Sequence, residues 1–73
     1  MNGWKELYDI YLPMKRFYGL TMSFHDGKDE VWIKIVKNDK VIVKCSGEEL
    51  EDVLISTIRE LECWERKRKD MRK

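Results

Sequence analysis

The residues of the usual kind that could act as nucleophile or base are His25, Cys45 and Cys63. A working Cys–His pair needs both side chains on one face within hydrogen-bond reach. Strand alternation instead places Cys45 on the side of Ile33 and Ile35 and His25 on the other, while Cys63 falls on the polar side of a helix. The carboxylates Glu48, Glu49, Glu51 and Asp52 crowd a helix start, where the macrodipole favours negative charge. His25, Asp26, Asp29 and Glu30 surround a turn at spacings that match no metal-binding loop. The chain is therefore expected to be no enzyme and to hold no metal and no cofactor. Two constellations remain. Trp32, Val36 and Ile42, rimmed by Lys34, Lys44, Thr21 and Ser23, form an apolar patch of the kind that anchors a protein interface. Arg66, Lys67, Arg68, Lys69, Arg72 and Lys73 form a basic run able to neutralise phosphates.

The elements that must position these residues follow from periodicity. Asn2 can cap a first helix whose face carries Trp4, Leu7, Tyr8, Tyr11 and Tyr18; Pro13 stops it near Leu12 or kinks it, and Gly19 ends it. From Leu20 the period changes to two, and Leu20, Met22 and Phe24 define one strand face. Asp26-Gly27 predicts a two-residue hairpin turn that pairs His25 with Lys28, Met22 with Val31 and Leu20 with Ile33. A three-residue loop, Asn38-Asp39-Lys40, pairs Lys37 with Val41 and brings Val43 and Cys45 onto the face of Ile33 and Ile35. Trp32, Val36, Ile42, Lys34 and Lys44 share the other face. Ser46 is the expected N-cap of the last helix, with Glu49 completing a capping box. Its apolar stripe, from Leu50 and Val53 through Leu54, Thr57, Ile58 and Leu61, stops at Trp64, so the turns beyond are expected to project or fray.

The predicted fold is thus α+β, ordered α-β-β-β-α: a three-stranded antiparallel meander with both helices on one face. Residues 1–65 form the domain and 66–73 a basic helical tail. The expected core comprises Trp4, Leu7, Tyr8 and Tyr11 from the first helix, Leu20, Met22, Phe24, Val31, Ile33, Ile35 and Val43 from the sheet, and Leu50, Leu54, Ile58 and Leu61 from the last helix.

Size and charge narrow the function classes. A 73-residue chain buries only ~60% of its unfolded surface, which leaves little room for a deep active site. The formal charge of +1 excludes a uniformly basic clamp and a strongly acidic mimic. That total conceals a division: residues 66–73 carry six cations and one carboxylate, net +5, and residues 1–65 nine cations and thirteen carboxylates, net −4. No basic segment leads into an apolar run, and no stretch approaches the ~20 apolar residues of a membrane span, so a cytoplasmic protein with no membrane partner is expected. Two cysteines suit free thiols better than a disulfide framework or a zinc site.

The order α-β-β-β-α resembles that of double-stranded-RNA-binding domains. Here, however, the first hairpin loop is His25-Asp26-Gly27-Lys28-Asp29-Glu30, without the family's Gly-Pro-x-His element, and the second helix starts on carboxylates rather than lysines, so no site residues carry over. Gly47-Glu48-Glu49-Leu50-Glu51-Asp52-Val53-Leu54, running on to Glu60-Leu61-Glu62-Cys63-Trp64, resembles the helix entry of HicB-type antitoxins and related small prophage proteins. In size and compact α/β character the chain also resembles phage-encoded inhibitors of host defence, including anti-CRISPR proteins. That resemblance implies a larger host protein as partner, blocked in the host cytoplasm through Trp32, Val36, Ile42, Lys34 and Lys44. A homodimer through the same face is compatible with it, and nucleic acid held by the basic tail, as in an antitoxin-like regulator, is the alternative.

Overall fold

The computed structural model describes residues 3–71. Its elements are α1 (Gly3–Tyr18), β1 (Leu20–Asp26), β2 (Val31–Lys37), β3 (Lys40–Gly47) and α2 (Leu50–Met71). The strands form one antiparallel sheet ordered β1-β2-β3. This is the predicted α+β arrangement, α-β-β-β-α. The expected Asn2 cap lies outside the described residues.

Helix α1 runs unbroken through Pro13. Proline withholds an amide from the Asp9 carbonyl, and both residues lie on the exposed side, where water can serve that oxygen. Continuing past Pro13 brings Met14 round to the face of Leu7 and Tyr11, and Met14 becomes a core residue that the pattern upstream of the proline did not include. Gly19 then closes the helix in the left-handed region at φ 72°, its amide donating to the Lys15 carbonyl at 2.9 Å. A side chain there meets no neighbouring atom, only backbone strain. Gly19→Ala is therefore expected to destabilise the protein by about 1 kcal/mol, read as a lower urea midpoint at unchanged slope; an unchanged midpoint would contradict the strain account.

The first hairpin corrects the Asp26-Gly27 expectation. Asp26 pairs with Val31, Met22 with Ile35 and Leu20 with Lys37, leaving Gly27–Glu30 as the connection, with the Gly27 amide donating to the Glu30 carbonyl at 3.0 Å. In the tighter register Asp29 would stand on the core face opposite Phe24. Moving 28–30 into the turn keeps that carboxylate in water and seats Ile35 against Met22. The shift is four residues, an even number, so each residue still paired in the sheet keeps its predicted face.

The second hairpin corrects the loop but keeps the pairing beyond it. The turn is two residues, Asn38 at φ 51° and Asp39 at φ 65°, joining the Lys37–Lys40 pair. Successive positive φ values mark a type I′ turn, whose twist matches that of the strands. The extra residue sits instead in a β-bulge: Val36 pairs with Val41 but Ile35 with Val43, leaving Ile42 unopposed. Ile33–Cys45 and Ile35–Val43 then pair as expected.

Ser46 is likewise not an N-cap. It pairs with Trp32 in a β3 that extends to Gly47, and α2 opens at Leu50, where the Glu49 carbonyl accepts from the Val53 amide at 3.2 Å. Extending the ladder satisfies more backbone groups than an early cap would.

Both helices cover one sheet face. Leu7, Tyr11 and Met14 of α1, Leu20, Val31, Ile33, Ile35 and Val43 of the sheet, and Val53, Leu54 and Leu61 of α2 form a single buried cluster. Tyr8 and Phe24, expected inside, are 36% and 53% exposed at its edge, where Phe24 leans on Trp4 at a ring separation of 4.9 Å. The Tyr11 hydroxyl donates to the Leu20 carbonyl at 3.4 Å, bringing α1 against β1, an edge strand of the sheet. Helix α2 continues to Met71, and Arg68 folds back over the rings of Trp64 and Tyr18 at 5.1 and 5.7 Å, so the tail's first turn is held to the body. Arg72 and Lys73 lie outside the described residues.

Candidate functional site

The face turned away from the helices is built by strand parity. Across it run three rows of partners: His25–Trp32–Ser46, Ser23–Lys34–Lys44 and Thr21–Val36–Val41. None of these residues belongs to the core cluster. Trp32 is half-buried by its own neighbours, with the His25 ring stacked on it (6.0 Å between centroids, planes 22° apart) and Lys34 Nζ 5.8 Å from its centre. Gly27 admits that stacking: a Cβ at this position would come within 2.6 Å of His25 Nε2.

Of the five expected interface residues, Trp32, Val36, Lys34 and Lys44 stand together on this face. Ile42 does not. The bulge re-aims its side chain onto the core side, where it packs beside Trp64, and Val41, 48% exposed, takes its place next to Val36. A three-residue loop gives Val41 the opposite parity, so strand alternation with that loop does not place it on this face.

The charges on this face are one-sided. Lys34 and Lys44 are direct cross-strand partners, and like charges so placed repel. The three rows contain no carboxylate, and among the described residues none lies within ion-pair distance of either lysine.

Cys45 and His25 sit on opposite sides of the sheet. Cys45 is half-buried near Thr57 and Glu60 of α2; burial pushes its thiol above the ordinary value of 9.0, the Glu60 carboxylate adds to the rise, and a hydrogen bond with Thr57 opposes it. The Thr57 hydroxyl, itself fully buried, donates to the Val53 carbonyl at 2.7 Å. Tyr11 is raised above 10.0 by burial, opposed by the Met22 backbone and aided by Tyr8. An acid raised by folding stabilises the fold below its unfolded value and loses that contribution as pH climbs through the folded one. Stability is accordingly expected to fall as pH rises from about 9, with Cys45→Ala removing the first part of the loss and Tyr11→Phe the part above about 10. Urea midpoints across that range that match in all three proteins would refute the assignment.

Among the described residues no three His, Cys, Asp or Glu side chains converge on a metal-sized site, and no helix is long and apolar enough to cross a membrane. Arg66, Lys67, Arg68 and Lys69 follow one another at 100° steps and so point around the whole circumference of α2; Lys69 lies 4.0 Å from Glu65 and Arg68 is taken up by the aromatic rings.

Comparison of the chain with protein families, curated proteins and solved structures finds no match.

Proposed function

We propose that the protein is a non-catalytic binding module that seats its open sheet face on an acidic-rimmed apolar site of a larger protein and thereby blocks it. The observation that carries this reading is the pairing of Lys34 with Lys44 beside the Trp32 indole, in three cross-strand rows that contain no carboxylate. Two facing ammonium groups gain most from an acidic surface brought between them, while Trp32, Val36 and Val41 need apolar counterparts that a phosphate backbone does not offer. The resemblance in size and architecture to phage-encoded inhibitors directs the proposal to a host protein in the host cytoplasm as that partner.

The test is capture from host lysate by wild-type protein and by two variants, Trp32→Ala and Lys34→Glu/Lys44→Glu, with Lys67→Glu as a control away from the face. A partner retained by wild type and control but lost by both face variants supports the reading. The same partners on all four proteins overturn it. Duplex RNA or DNA binding that falls with salt and disappears on removal of residues 66–73 replaces it with the tail-based regulator.

A further inference from the structure

A second site lies on the helix side of the sheet, at the end where β2 turns into β3. There a groove of about 260 Å³ is lined by Lys37, Asn38, Lys40, Ile42, Trp64 and Arg68. We propose that this groove binds a small organic phosphate, an ester whose phosphate meets the three cations and whose short apolar part lies on Ile42 and Trp64.

The fold explains why these residues meet. The parity that buries Ile33 and Ile35 carries Lys37 beyond the core on the same face, and the type I′ turn sets Lys40 directly across from it. The bulge turns Ile42 inward to form an apolar wall with Trp64. From α2, Arg68 reaches the same groove with its guanidinium over the Trp64 ring at 5.1 Å, and Tyr18 stands edge-on to that indole at 5.0 Å. The cation is thus held in place before any ligand arrives.

Electrostatics sets the ligand class. Three cations line the groove and no carboxylate does; among the described residues none lies within ion-pair distance of Lys37, Lys40 or Arg68. Their mutual repulsion is relieved by a compact multivalent anion, and a guanidinium with two ammonium groups and the Asn38 amide supplies the donors that phosphate oxygens accept. A volume of about 260 Å³, just below the ~300–1,000 Å³ of drug-sized sites, is enough for a phosphate and one small apolar group. The groove and the open face lie on opposite sides of the sheet, so the two proposals stand independently.

Phenyl phosphate serves as the probe, followed by amide, indole and methyl NMR shifts in the full chain. The expected result is saturable movement of the Trp64 indole N–H, the Asn38 amide and the Ile42 methyls, with inorganic phosphate moving the same resonances at higher concentration. Lys37→Gln/Lys40→Gln should weaken binding at least tenfold while its spectrum stays dispersed, and Lys34→Gln/Lys44→Gln should leave binding unchanged. Benzoate binding as tightly as phenyl phosphate would overturn the phosphate assignment. Shifts scattered over the surface lysines, or equal affinity in both double variants, would overturn the site. Duplex RNA that moves the same resonances at tenfold lower concentration than phenyl phosphate would replace the small ligand with nucleic acid.

Discussion

Ile33→Ala is expected to destabilise the protein by about 2–5 kcal/mol, a loss comparable with the ~3–5 kcal/mol that a core in a domain of this size supplies. Ile33 is fully buried in the central strand, between Phe24 of β1 and Cys45 of β3, in the cluster that the sheet shares with both helices. Removing three carbons there forfeits their transfer from water and leaves a cavity between the central strand and the close-packed cluster over it, which relaxes only in part. The check is urea unfolding followed by circular dichroism. A loss below about 1 kcal/mol would mean that the centre of the sheet is far more plastic than close packing allows.

Trp32→Ala, one residue away, is expected to do the reverse. Its indole points to the other side of the sheet, outside the core cluster, and its ring contacts are with His25 and Lys34, both on the open face. The urea midpoint should therefore move little, whereas affinity for the captured partner should fall by at least about 2 kcal/mol, or roughly thirtyfold, as truncation of a central aromatic anchor does. Titration of purified partner with wild type and variant reads that ratio directly. Unchanged affinity in a folded Trp32→Ala protein would sink the interface proposal, and unfolding would show that the indole belongs to the core after all. The opposite outcomes expected at positions 32 and 33 rest on one geometric fact, the two-residue period of a strand.

The same period explains how much of the site was legible from residues alone. Trp32, Lys34, Val36 and Lys44 could be assigned to one face because each strand's alternation is a local property. Ile42 could not. Its side chain turns on whether the odd residue of the second hairpin enters the loop or a bulge, and both choices leave Ile33–Cys45 and Ile35–Val43 identically paired. Packing decided between them: the bulge keeps the tight Asn38-Asp39 turn and puts Ile42 against Trp64, twenty-two positions along the chain. The phosphate groove was hidden for the same reason, since Lys37, Asn38 and Lys40 read as ordinary turn residues until Arg68 and Trp64 are brought beside them.

The order of elements, the faces of the strands and the stripe of α2 are written in spacings of two and of three to four residues, so the chain alone specifies them. Registers separated by an even number of residues satisfy that pattern equally. Choosing among them depends on burying Asp29 or leaving it in water, and on seating Ile35 against Met22. Passage of α1 through Pro13 is decided likewise, by what Met14 gains in the core, and the end of β3 by the ladder that carries Ser46 to Trp32. These are contacts between distant positions, whose energies exist only once the helices and the sheet have closed on one another.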